Sequence, residues 1–173
     1  EIYNNSSSEI DLTGWKLNDG DDATNHGLNA PPKNDGQGSI ILPVGGYTVV
    51  AEHATTFLTD HSGFSGTVID TAEMNLKNSS STITTLKIIA SDGTTIDEVT
   101  YYNSWGGNGD GKTLDKITAG GASGAASNWG VSSATGGTPG AANNPIAFGE
   151  GGPVDGSVIA GTAGGTDISA TTT

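Results

Sequence analysis

Nowhere in this chain does an apolar pattern at helical spacing persist over ten or more residues. Glycine is a large part of the reason. It supplies 28 of the 173 residues, against a usual share of about 7%. Gly weakens helices and suits tight turns, so short strands joined by turns are the architecture left open. Abundant Thr fits the pleated surface that such strands present. The length suits one domain with an appendage.

Strand signals agree with that constraint. "EIDLTGWKL" alternates Ile10, Leu12, Trp15 and Leu17 imperfectly, as a half-buried strand kinked at Gly14 would. "NDGDDATNHGLNAPPKNDGQG" follows as a long surface loop. "SIILPVGGYTVVAE" predicts strands over Ser39–Leu42 and Tyr47–Glu52 around a Pro43/Gly45-Gly46 turn. "TTLKIIASDGTTIDEVTYY" predicts a hairpin about Asp92-Gly93, and "KTLDKI" a further strand. Several short strands with turn signals between them imply an all-β sandwich or barrel. From about Asn143 the composition shifts to Gly, Ala, Thr and Pro, as in a tail or linker.

The net charge is −13, with six basic residues, all of them Lys. Nucleic acid and anionic lipid need a Lys/Arg footprint, so this balance excludes both as partners. Divalent cations remain compatible with it. No apolar run approaches the roughly 18 residues of a membrane span. There is no cysteine, hence neither a disulfide nor a thiolate metal site.

One stretch looks catalytic. "GGNGDGKT", Gly106 to Thr113, matches the phosphate-loop pattern G-x-x-x-x-G-K-[ST]. A working phosphate loop follows a parallel strand and opens a helix whose N-terminus faces the phosphates. Here a hairpin strand precedes it, and Gly120, Gly121 and Gly124 stand where the helix would run. A turn between strands is the better reading, and no nucleotide chemistry is expected. Asn108, Asp110 and Asp115 offer oxygen ligands for calcium, as do Asp19, Asp21, Asp22 and Asp35 in the long loop. Neither stretch fits the twelve-residue calcium-loop pattern. His26, His53 and His61 lack metal-ligand spacing and read as surface or loop histidines. Asp97 and Glu98 are adjacent on a strand and face opposite ways, so they are no acid/base pair. Asn4-Asn5-Ser6-Ser7 and Asn78-Ser79-Ser80 contain N-x-[ST] acceptors, which makes glycosylation an option.

Five segments in order carry a family likeness. They are "EIYNNSSSEIDLTGWKLND", "LPVGGYTVV", "LKIIASDGTTIDEVTYYNSW", "DGKTLDKI" and "NWGVSSATGGTPGAAN". Together, over residues 1 to 143, they resemble the lamin-tail domain: its E-[LI]-Y-N strand, D-L-[ST]-G-W-x-L strand, L-x-P-G-G-Y segment, central hairpin and closing G-T-P-G-x-x-N signature. Val44 splits the expected Pro–Gly-Gly run, and Lys116 stands where Arg is usual. The resemblance implies an immunoglobulin-like antiparallel β-sandwich without catalytic residues, of the kind found in accessory or surface modules of secreted proteins. An extracellular or cell-surface location follows from it as an expectation.

The family's extra first strand is absent in front of "EIYN". A copy of the pattern stands in the tail, where "SVIAGTAGGTDISATTT" reads as strand, loop, strand. The chain thus divides into a sandwich over 1–143, a linker over 144–156 and a candidate donor strand over 157–173. A sandwich lacking a strand exposes an open edge, which a strand from elsewhere can cap through main-chain hydrogen bonds. Val158, Ile159 and Ile168 of the tail, and Glu1, Ile2 and Tyr3 at the front, are the expected assembly residues. Folding back gives a circular permutation; insertion into the next copy gives a head-to-tail fibre. The other class left open is a binding module beside a secreted hydrolase, holding a glycan or other surface polymer on Trp15, Trp105 or Trp129. Trp15 and Trp129 fall on core positions of the resemblance.

Overall fold

The computed structural model of the chain describes residues 1–20, 23–77 and 84–147. In chain order its strands are β1 (Ile2–Tyr3), β2 (Ile10–Asp11), β3 (Lys16–Asn18), β4 (His26–Gly27), β5 (Ile41–Leu42) and β6 (Tyr47–Ala51). A helix, α1 (Ala54–Asp60), leads to β7 (Thr67–Asp70). Then follow β8 (Thr84–Ile89), β9 (Thr95–Tyr101), β10 (Leu114–Lys116), β11 (Trp129–Ser132) and β12 (Pro145–Ala147). They assemble as β1-β6-β7, β2-β5, β4-β3-β8-β9 and β10-β11-β12. The fold is all-β, an immunoglobulin-like sandwich.

The expected kinked strand around Gly14 is a corner. The Trp15 N–H closes on the Leu12 carbonyl at 3.0 Å, and Gly14 takes φ +76°, a left-handed value that suits glycine. A turn of that kind ends one ladder and starts another, so β2 and β3 lie in different sheets. Leu12 at the corner is fully buried and joins Leu17, Leu28, Leu42 and Ile69 in the main core, with Trp15 packed against it. Leu28 pulls part of the expected surface loop inward. His26–Gly27 becomes a strand, and Asn29 and Gln37 bridge to Asp70 and Val68 of β7.

Turn chemistry fixes the next two connections. The Gly46 N–H bonds the Pro43 carbonyl at 2.9 Å, with Gly45 at φ +69°. Val44 occupies the exposed tip of this turn, which explains how a residue can be inserted between the Pro and the Gly pair. The β8–β9 hairpin turns at Gly93, φ +91°, with the Thr94 N–H on Asp92 Oδ1 at 2.9 Å. Its register shifts between Ile88 and Ile89, which leaves Ile96 as a bulge on the outer strand.

Two elements depart from the sequence expectation. Among the described residues all ladders are antiparallel except β6–β7, which run parallel with Thr48 opposite Thr67 and Val50 opposite Ile69. Parallel neighbours need a crossover connection, and α1 supplies it. "ATTFLTD" is too short to show a helical period, and its Thr content is a poor helix signal. It forms because Ala54, Phe57 and Leu58 pack on Val49 and Val68. Second, β12 lies inside the segment expected as linker and pairs with β11, Ile146 opposite Val131. Gly130 permits this approach, since a Cβ there would meet the Ile146 carbonyl oxygen at 2.5 Å.

Asn4 ties the start of the chain to the sandwich. It is buried; its amide NH₂ donates to the Ser8 and Leu42 carbonyls at 2.8 and 3.1 Å, and its Oδ1 accepts from the Ser6 N–H and hydroxyl. Its main chain pairs with Gly45 and Gly46 at 3.0 Å on both sides. This burial removes Asn4 as a glycosylation acceptor, whereas Asn5 is exposed and Asn78 lies outside the described residues. Replacing Asn4 by Ala removes its donors to the Ser8 and Leu42 carbonyls and the acceptor of the Ser6 N–H and hydroxyl. The expected cost is about 2–3 kcal/mol, a fall in melting temperature of roughly 5–10 °C, readable by thermal circular dichroism.

Candidate functional site

The Gly106–Thr113 loop is built from the inside. Gly106 sits at φ +142° with its Cα against the β11 backbone; a Cβ would come within 3.0 Å of the Gly130 carbonyl oxygen. Asp110 Oδ1 accepts the Lys112 N–H at 3.0 Å and shapes the turn. The Lys112 ammonium donates to the Ser132 and Ser133 carbonyls at 2.9 and 3.0 Å. The Thr113 hydroxyl donates to Asp115 Oδ1 at 2.6 Å, and its N–H to Ser132 Oγ at 3.0 Å. Both residues that a phosphate would need are thus engaged with the protein itself, and strand β10 follows where a helix would be required. The loop is a lysine-pinned turn joining the hairpin to the β10–β12 sheet.

The expected oxygen ligands divide between surface and interior. Asn108 and Asp110 are exposed, whereas Asp115 is buried on β10. Asp19 is buried as well: it accepts the Asn75 N–H at 2.7 Å and faces His26 Nε2 at 3.7 Å. Asp21 and Asp22 lie outside the described residues. Asp35 accepts the Thr55 hydroxyl at 2.8 Å. Among the described residues no group of three or more His, Asp or Glu side chains is placed to hold a metal ion. Two histidines have structural work rather than the loose surface role expected: His26 is in β4, and His61 stacks on Phe57 with ring centroids 4.4 Å apart.

Of the assembly residues, Ile2 and Tyr3 form β1, the outermost strand of the β1-β6-β7 sheet. Ile2 packs against the main core and Tyr3 against Tyr47, ring centroids 4.6 Å apart. The Glu1 carboxylate accepts the Gly140 N–H. Gly140 also lies on the Phe64 ring, where a Cβ would come within 2.7 Å of it, so the G-T-P-G turn clasps both Glu1 and the segment between α1 and β7. Val158, Ile159 and Ile168 lie outside the described residues. The tryptophans are half-buried: Trp15 against the core, Trp105 beside Tyr102 at 6.1 Å, and Trp129 with its indole N–H on the Ser123 carbonyl at 2.8 Å.

Two arrangements had no signature in the sequence. The Lys116 ammonium donates to Ser123 Oγ, which donates to Asp97 Oδ2, both at 2.8 Å, with Lys116 and Asp97 3.6 Å apart. A positive ammonium on the serine oxygen holds the hydroxyl in place and abstracts no proton, so this relay clamps the β9 edge to the β10–β11 sheet. Secondly, Asp35, Glu52, His53, Asp70 and Glu73 border a cleft of ≈350 Å³. Its buried member, Asp70, accepts from the Asn29 and Asn34 amides and the Ala54 N–H, and so holds the long loop to α1. The cleft residues come from three separated segments, 34–35, 52–55 and 70–73, which is why no spacing revealed them.

Asp115 is the electrostatic exception. Its Oδ2 is buried without a hydrogen-bond partner, and burial pushes its carboxyl above the ordinary range despite the Thr113 hydroxyl. Glu1 is raised too, chiefly by desolvation, with the Asp115 charge adding to it and the Gly140 N–H opposing.

Residues 1–103 match the family model of the Lamin Tail Domain, and the chain belongs to that family. Neither among curated proteins nor among solved structures is there a significant match. The closing stretch with the G-T-P-G turn lies beyond the matched residues, yet it packs on Glu1 and Phe64 within them.

The raised carboxyls set a pH dependence. Asp115 and Glu1 bind protons more tightly folded than unfolded, so stability rises as the pH falls from neutral toward the usual carboxylate values. Asp11 and Asp92, held below their ordinary value by Thr13 and Thr94 donors, withdraw stability at lower pH still. Denaturant unfolding from pH 7 to 3 should therefore show a maximum on the mildly acidic side. Asp115→Asn should flatten the rise into that maximum; an unaltered profile would show that Asp115 does not carry it.

Proposed function

We propose, on the premise that this chain is a lamin-tail-domain protein, that it is a non-catalytic structural module of the cell surface or extracellular space, polymerised head-to-tail through its C-terminal segment. The family is one of immunoglobulin-like structural and binding modules. The finer reading rests on one observation. β1 is an outermost strand of its sheet among the described residues, and a strand–loop–strand sequence pattern with Val158, Ile159 and Ile168 follows the sandwich.

Several features support it. Glu1, Ile2 and Tyr3 present the side of β1 that has no ladder neighbour among the described residues. The extension begins as β12, so the following residues leave from a strand fixed on the body. A donated strand would supply the main-chain partners that β1 lacks, and a contact from one copy's tail to the next copy's front does not close on itself. The alternative, an accessory binding domain for a glycan or other surface polymer, draws on the half-buried Tyr102–Trp105 pair. Glycan-array binding that disappears with Trp105→Ala would favour it.

Negative-stain microscopy of the purified full chain should show filaments, and deletion of residues 156–173 should abolish them. Copies that each carry −13 repel, and that repulsion is screened over about 8 Å at physiological ionic strength. Filament mass by sedimentation should therefore increase with salt. A full-length protein that stays monomeric in every salt, and melts as the deletion variant does, would end the proposal.

A further inference from the structure

The proposed filament needs a receiving surface besides the β1 edge, and the charge distribution narrows where a −13 molecule can be touched. Two of its six basic residues, Lys87 of β8 and Lys116 of β10, pair with acids of the strand between them: Lys87 with Glu98 at 3.5 Å and Lys116 with Asp97 at 3.6 Å. The outer strand β9 is therefore close to neutral where it carries its acids. Beside it runs a trough of ≈490 Å³ between Thr95–Glu98 and Ser123–Gly124. Ile96 stands at this trough 52% exposed, in the same range as Val44 and Leu76 elsewhere on the surface. Ile117, next to Lys116 in the chain, is 38% exposed.

The trough is built against sheet extension. Ile96 is the bulge residue of β9, and the Glu98 N–H is taken by Asp97 Oδ1 at 2.9 Å. Bulges and charged side chains are the devices that stop edge strands from pairing indiscriminately. Whatever docks here does so through side chains. A suitable occupant is small, apolar and nearly uncharged, because charge of either sign would disturb the two ion pairs. Residues 157–173 have that chemistry: three large aliphatic side chains, many small residues and one charge, Asp167. They lie beyond the described residues, and the ten residues from 148 to 157 can span up to about 35 Å after β12.

We propose that residues 157–173 of a second copy lie across this trough, with the Val158–Ile159 pair covering Ile96. The contact rests on the filament reading and adds its specificity: the tail meets β1 through main chain and the Ile96 trough through side chains. Docking on Ile96 gains from removal of apolar surface from water, and the paired Lys87 and Lys116 let two acidic bodies approach there.

The absence of cysteine makes the test clean. Ile96→Cys and Val158→Cys are introduced into separate full-length copies, which are mixed, polymerised in salt and oxidised. A disulfide-linked heterodimer that forms from the mixture, and from neither copy alone, is the expected result. Filaments that form without that cross-link overturn the trough and leave the filament reading standing. A double variant that closes only within one copy, as a monomer of altered mobility, overturns the second copy as occupant. Ile96→Glu gives an independent readout: filament mass should fall roughly tenfold, an energetic change of about 1.4 kcal/mol, at unchanged melting temperature. Filaments of undiminished mass from a folded Ile96→Glu protein also overturn the contact. If the unaltered chain forms no filaments at all, the filament reading has failed first and this inference falls with it.

Discussion

The Asn4 amide is the contact on which the rest of the sandwich depends. One side chain joins the end of β1, the polar turn after it, and the Leu42 carbonyl at the end of β5. Its main chain meanwhile holds the Pro43–Gly46 turn that starts β6. Three connections that water could otherwise pull apart are pinned by a group that has lost its own water. A buried amide of this kind pays its desolvation only when all its bonds are made, so the geometry around it is all-or-none. Behind it the Leu12–Ile69 cluster can close, since β2 and β5 are brought into register by the same turn.

Much of this could be read from the residues, and the parts that could not share a physical cause. Hairpin β8–β9, the turns at Gly45 and Gly93 and the burial of Leu12, Leu17 and Leu42 follow from local chemistry, because a turn residue or an alternating side chain carries its own signal. The corner at Gly14 was legible as a glycine but not as a change of sheet, since partner choice is decided by strands far away. Helix α1 was invisible, being seven residues long and stabilised by Val49 and Val68 beneath it. Strand β12 falls where the composition suggests a linker, because "PIA" is too short to show alternation; Gly130, across the sheet, is what admits it.

At the candidate sites the same division holds. That Gly106–Thr113 forms a turn was predictable from the hairpin before it and the glycines after it. That Lys112 reaches back to two carbonyls of β11 and its neighbour was not, since nothing in "GKT" records where a flexible ammonium will find acceptors. The Asp97–Ser123–Lys116 clamp and the Asp70 hub each draw on distant segments. Individual carboxylates were easy to see; which ones would be buried depended on the whole fold.

The contact between Glu1 and Gly140 has a consequence for how such a body can change over time. Glu1 and Gly140 stand 139 positions apart, yet a carboxylate and a main-chain N–H join them, and the strands between are held as in a hoop with that contact as its clasp. The two sides of the clasp are not independent. A change that buries or redirects the Gly140 N–H strands a partly desolvated carboxylate at Glu1, and a change that removes the carboxylate leaves the N–H to find another acceptor. Residues at opposite ends of the described body therefore drift together or not at all.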